Sequence, residues 1–404
     1  MRRLALTGLL GLTLLLLQPW STTATGQPGA RPPDHQHGVH TVARGLDNPR
    51  GLAVLSDGRL FVAEAGHAGP LCLGPGMCVG MNGAITAIDT HSGRRTTLAD
   101  GLPSLGGPFG TFGLGGVALD GHGLAFVTGL YPQAFGRPSA ACKGQKRQAA
   151  CVRTIGALKA SVGLLARVGS LSSNAGWHRL AAVGRFDFAY AAAHPDPGNP
   201  EYMPGDANPF GVTAGPGGGH YVVDAASNTL DLFTRTGGVR VLAFVPDPPG
   251  HRPIYDAAPT CGARTPGGDL YIGTESSSLY RWDGTRLTLA LRDGKIGQVV
   301  GCVADDHGNV YLANLSSRIR GSFPDFHEKP FDGSVVKVTP DLETSFVATR
   351  LNLPAGLTID PSGRDLYVAV NGLCPTDLSL LTSKNAPAGA CPKPGKVVRI
   401  RLHH

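Results

Sequence analysis

The sequence predicts an all-β chain folded as a six-bladed β-propeller of four-stranded antiparallel blades, and three observations lead there. The first is composition: 58 Gly and 32 Pro among 404 residues, with 42% apolar and 16% charged side chains. That Gly plus Pro content is roughly twice the usual ~12%, which suits many tight turns and excludes a helical bundle, while the apolar fraction suffices for a core. The second is a pattern that recurs six times: a small anchor, an apolar stretch, Gly seven residues on, and an aromatic about ten residues from the anchor. Its anchors and glycines are Gly51/Gly58, Gly116/Gly123, Gly211/Gly218, Cys261/Gly268, Gly301/Gly308 and Gly356/Gly363. The aromatics are Phe61, Phe126, Tyr221, Tyr271, Tyr311 and, shifted by one, Tyr367. The third is that the last copy supplies only three strands, ending in Lys396–Leu402, whereas an unmatched strand, His40–Gly45, precedes the first copy.

Each copy reads as two short strands joined by a Gly-bearing turn. Two further strands follow in most copies, as in Ala84–Asp89 with Arg94–Ala99, Leu230–Thr234 with Val239–Phe244, and Ser334–Val338 with Glu343–Ala348. A single sheet cannot bury both faces, so radial repetition of such units is expected. Pairing of His40–Gly45 with the final strand closes the ring.

Ahead of the ring, Arg2-Arg3, the apolar run Leu4–Leu17 and the small residues Ser21–Ala24 read as a secretory signal over residues 1–24. A flexible segment is expected over 25–38 and the propeller over 39–404. The apolar run is too short to span a bilayer, so a secreted, extracellular monomer without a membrane span is expected. Eight cysteines suit that oxidising destination and fall into near pairs: Cys72/Cys78, Cys142/Cys151, Cys261/Cys302 and Cys374/Cys391. The net charge of +7 is thinly spread and leaves no nucleic-acid footprint.

With strands a to d counted outward from the channel, the a–b and c–d turns are short. The b–c connections run to about 18, 33, 19 and 25 residues in blades 1, 2, 5 and 6, and the d–a link Gly184–Pro209 is also long. Both kinds open on one face of a propeller, so that face is the expected functional rim. Three of the four cysteine pairs fall within b–c connections; the fourth joins inner strands of blades 4 and 5.

At the strand ends facing the rim stand Glu64, Asp224, Glu275, Asn314 and Asn371, and the d–a entries add Arg50 and Asn208. These seven are the candidate ligand-binding set, with each residue alternatively capping its own turn. Within it, the oxygens of Glu64, Asp224 and Asn314 are candidate Ca²⁺ ligands. Arg137, Lys143, Lys146, Arg147, Arg153 and Lys159 form an acid-free basic stretch inside the blade 2 connection. Antiparallel pairing of the termini would bring His40 near His403. No G-x-S-x-G elbow, H-E-x-x-H or Walker A loop occurs, so the sequence designates no catalytic residue and leaves catalysis open.

The phrases Gly45–Gly66 (GLDNPRGLAVLSDGRLFVAEAG), Phe186–Tyr190 with Asn199-Pro200, and Asp206–Thr213 (DANPFGVT) resemble the ScyD/ScyE family of secreted bacterial proteins, more specifically than the general NHL-like repeat. The likeness extends over about residues 40–402. It implies a propeller and export, and brings no catalytic residues with it. The Cys-bearing stretches 137–159 and 374–391 depart from that family's pattern. The expected function is binding of a small molecule, glycan or extracellular protein at the stapled rim. The alternative is a Ca²⁺-dependent hydrolase or lyase, because Glu64, Asp224 and Asn314 resemble the acid and amide set of gluconolactonase-type propellers.

Overall fold

A computed structural model of the chain describes residues 38–74, 77–107, 110–195, 205–249, 256–317, 331–372 and 394–402. The signal sequence, the Cys374–Cys391 pair, His403, Asn199 and most of the long blade 5 and blade 6 connections lie outside these residues. Six antiparallel sheets follow one another along the chain as the repeat predicts. In blades 2 to 5 the four strands run in sequence order, from Leu114–Asp120 to Trp177–Ala181, Pro209–Ala214 to Gly238–Phe244, Pro259–Arg264 to Leu287–Leu291, and Val299–Ala304 to Thr344–Leu351. Blade 6 contributes Leu357–Ile359, Asp365–Val370 and Gly395–Arg401, and its outer strand is the N-terminal Val39–Leu46. The closing register sets His40 opposite Arg399 and Ala43 opposite Val397.

The two conserved-spacing features of the repeat have separate physical causes. Each Gly of the a–b turn has positive φ, between 71° at Gly218 and 126° at Gly123, a region disfavoured for any residue with a Cβ. The anchor is small because neighbouring inner strands abut there. A Cβ on Gly51 would stand 2.5 Å from the Val117 nitrogen, one on Gly211 2.6 Å from the Thr260 oxygen, and one on Gly356 2.2 Å from the Arg50 oxygen. The six inner strands therefore close tightly, leaving an axial space of about 60 Å³. Blade 4 carries Cys261 at the anchor position, and its disulfide to Cys302 of blade 5, with 5.6 Å between Cα atoms, ties two inner strands directly.

The core is divided among the blade junctions. Phe61 and Ile85 meet Val117 and Leu124 between blades 1 and 2; Val127 and Leu165 meet Val212 and Val222 between blades 2 and 3. The other junctions are built alike, ending where Leu52, Leu60 and Ile88 of blade 1 meet Tyr367 and Val397 of blade 6. Each fully buried aliphatic or aromatic side chain there contributes about 1.5–3 kcal/mol. The aromatics of the repeat are thus inter-blade wedges, with Phe61 and Phe126 fully buried.

The rim differs from the expectation of irregular loops. In blade 1 the third and fourth strands extend to Met77–Asp89 and Arg95–Gly107, and Leu71–Gly74 and Gly110–Phe112 pair onto them. The Cys72–Cys78 bridge joins partners of one hairpin. In blade 2 the b–c connection carries a single-turn helix α1 (Pro138–Ala141) and α2 (Gln148–Ser161), stapled by Cys142–Cys151. The d–a link begins with α3 (Val183–Ala193). In α2 the buried Cys151, Ile155 and Leu158 follow the i, i+4, i+7 period of a helix with one apolar face. Unequal blade length, read as loop, is here secondary structure with its own small core of Val79, Phe135, Ile155 and Leu158.

Candidate functional site

On the rim face a cleft of about 230 Å³ opens over the channel mouth. Of the seven predicted binding residues it brings together Arg50, Asn208 and Glu275, and it adds Gln298 with the aromatic walls Phe112 and Phe210. Glu64, Asp224, Asn314 and Asn371 do not line it.

Strand alternation accounts for the division. Glu64, Asp224 and Asn314 are the last residues of their b strands, whereas Glu275 follows the last residue of its own, Thr274. A one-residue offset turns a side chain to the other face. The cleft-facing amides share another position: Asn208 and Gln298 immediately precede the inner strands that begin at Pro209 and Val299. Their carbonyls accept the N–H of Ala225 (3.0 Å) and Leu315 (2.7 Å), each the residue after a b strand. Gln298 went unnoticed in the sequence, although its offset from the anchor Gly301 equals that of Asn208 from Gly211.

Arg50 holds the mouth together. It is 7% exposed, and its Nη2 donates to the Thr111 carbonyl at 2.6 Å, while Asn48 Nδ2 donates to the Gly66 carbonyl at 2.8 Å. Together they pin the extended hairpin of blade 1 over the mouth. Asn208 Oδ1 accepts the Leu130 N–H at 3.0 Å, fixing the start of the blade 2 insert. Gln298 Oε1 accepts the Ser316 hydroxyl at 3.2 Å.

The remaining predicted residues serve the frame. Glu64 Oε2 accepts the Asp47 N–H at 2.7 Å and Oε1 accepts the Thr86 hydroxyl; burial raises its pKa despite these donors. Asn314 Nδ2 donates to the Lys295 carbonyl at 2.9 Å and to Ser334 Oγ at 3.0 Å. Asn371, in the left-handed region at φ 60°, accepts from Asn352 Nδ2 at 3.0 Å. Asp224 receives four N–H contacts, from Asn208 at 2.8 and 2.9 Å, Ala226 at 3.0 Å and Ser227 at 2.9 Å. Among the described residues no group of three or more His, Cys, Asp or Glu is placed to hold a metal ion. With both Glu64 oxygens and both Asp224 oxygens engaged by donors, Glu64, Asp224 and Asn314 do not fit a shared Ca²⁺ ion.

Asp224 instead belongs to a buried acidic trio that sequence reading missed. Asp187 of α3, Asp224 and Asp231 are each fully buried. No N–H or O–H donor reaches either Asp187 oxygen, so its contacts with Asp224 and Asp231 are carboxyl to carboxyl, and each requires a proton. Burial, then the charges of its two neighbours, pushes the Asp187 pKa well above the carboxylate range; burial and the Asp224 charge do the same to Asp231. Burial also raises Asp224, opposed by its N–H donors. Docking of α3 at the rim is therefore proton-dependent.

No protein-family model matches the sequence, and no curated protein does. Solved structures do match across most of the chain. A protein of unknown function from Bacteroides thetaiotaomicron aligns with TM-score 0.52 at 12% identity, covering 91% of this chain and 76% of its own. A gluconolactonase from Xanthomonas campestris aligns at 0.49 and 12%, covering 90% and 89%. Virginiamycin B lyase from Staphylococcus aureus aligns at 0.46 and 12%, covering 90% and 99%. The likeness is one of fold. At such identity the propeller is common ground, while site chemistry has to come from this chain's own residues.

Proposed function

We propose that this chain is a secreted propeller of the ScyD/ScyE kind that binds a small polyhydroxylated ligand, free or as part of a glycan, in the cleft at the channel mouth. The observation that carries this reading is the convergence of Glu275, Gln298 and Asn208 between Phe112 and Phe210. Apolar faces flanking a few oriented carboxylate and amide groups suit a sugar ring, whose C–H face packs on aromatics while its hydroxyls bond at the edge. The axial space beneath is too narrow for more than about two waters, at ~30 Å³ each, so the ligand approaches from the rim alone.

A thermal-shift panel of neutral sugars, uronic acids and aldonolactones tests it, because a ligand of the native state raises the midpoint in proportion to its occupancy. At 100 times its Kd a ligand adds about 2.7 kcal/mol. Glu275→Gln and Gln298→Ala should each abolish most of that shift without altering the unliganded midpoint. A ligand that shifts these variants as much as the parent would show that it binds elsewhere, and a silent panel would end the sugar reading.

The Ca²⁺-dependent hydrolase or lyase alternative makes a different prediction. Because the lone pairs of Glu64 and Asp224 are already engaged, millimolar CaCl2 or EDTA is expected to leave the unfolding midpoint in place. A calcium-dependent rise abolished by Glu64→Gln would restore the metal reading.

A further inference from the structure

We propose that the helical insert of blade 2 is a docking surface for an acidic polysaccharide. Arg137, Lys143, Lys146, Arg147 and Arg153 are all exposed there. Among the described residues none of them forms an ion pair or side-chain hydrogen bond. Lys159, the sixth cation, donates to the Gly136 carbonyl.

Nothing nearby in the chain neutralises this charge. No Asp or Glu occurs from Gly121 to Phe186, and none in 65–88 or 101–119, the parts of blade 1 against which the insert packs. Gln145 Nε2 reaches the Cys72 carbonyl at 3.3 Å, so the insert and the blade 1 hairpin form one acid-free surface. Lys143, Lys146 and Arg147 lie between the bridged Cys142 and Cys151. The staple restricts the segment before a partner arrives, which lowers the ordering cost of binding.

What the surface lacks selects the partner. The large exposed apolar side chains of the molecule, such as Phe186, Phe244 and Phe346, lie outside the insert. An interfacial membrane helix would present Trp, Phe or Leu to the acyl boundary. A single-stranded nucleic acid would stack bases on aromatics. A protein partner would be anchored by buried aromatic residues. Here α2 exposes Ala149, Gly156, Ala157 and Ala160, a low strip beside the cations. A hydroxyl-rich chain with repeated carboxylates needs no more than this: a flat approach and a row of positive charge.

The test uses the full chain and polygalacturonate, with neutral dextran, phosphatidylglycerol vesicles and oligo(dT) as comparisons. Polygalacturonate is expected to bind at low salt and to weaken steeply as NaCl rises. K143S/K146S/R147S should weaken it by roughly tenfold, whereas R240S/R264S/R286S, with the same loss of charge elsewhere, should not. K143R/K146R should retain binding, which separates charge from any disturbance of the insert. Equal losses in the two triple variants, loss in the charge-keeping variant, or retention of vesicles or oligo(dT) in preference to polygalacturonate would each overturn the proposal.

Discussion

Replacing Gly356 by Ala is expected to lower the unfolding midpoint by roughly 5–10 °C, taking about 3 kcal/mol for an overpacked, backbone-walled site and about 2–4 °C per kcal/mol in a large domain. The added methyl would lie 2.2 Å from the Arg50 carbonyl oxygen and 2.9 Å from Gly51 Cα, so no side-chain rotation relieves it. This contact joins blade 6 to blade 1, the junction at which the two ends of the chain close the ring. Relief would require the inner strands to separate, loosening Leu52, Leu60 and Tyr367 together. Gly121→Ala is the control: an added Cβ there meets nothing within 4 Å, and its midpoint should match the parent. Equal midpoints for both variants in a calorimetric scan would mean that the axis is loosely packed.

Asp187→Asn is expected to change how stability depends on pH more than it changes stability itself. Asp187 and Asp231 hold their protons more tightly in the folded chain than in the unfolded one. The unfolded chain releases these protons near pH 4, so above that the folded state carries more of them. Their stabilising contribution is therefore complete in acid and is lost as pH rises from about 4 towards the raised folded values. An amide at position 187 supplies N–H donors to Asp224 and Asp231 without taking up a proton. The variant should show a flatter pH profile of the urea midpoint and exceed the parent at pH 8 by about 1–2 kcal/mol, the scale of a better-satisfied buried polar group. Profiles that run parallel from pH 4 to 9 would show that the trio does not titrate with folding.

The architecture was legible because its determinants are local and repeated. A turn Gly at positive φ and a small anchor recur at one spacing, and each copy reports the same two steric demands. The closing strand was legible for a similar reason: one strand was missing at the end of the chain and one was spare at its start. The helices of the rim were less so. Cys151, Ile155 and Leu158 do carry a helical period, but over three positions in a stretch dominated by Gly, Ala and Lys. For α3 the inward residues include Gly184 and Asp187, which no hydrophobic pattern marks.

The site was only partly legible. Arg50, Asn208 and Glu275 reach the cleft, while Glu64, Asp224 and Asn314, identical in apparent rank, turn into the frame. Composition and spacing thus determined by themselves that six sheets form a ring, which ends meet, and which face is elaborated, since backbone sterics and turn chemistry act over a few residues. Which polar side chains face a ligand, and which are consumed in holding the rim, was decided by the tertiary structure. A one-residue step along a strand reverses a side chain's direction, and only the assembled neighbours supply or withhold its hydrogen-bond partners.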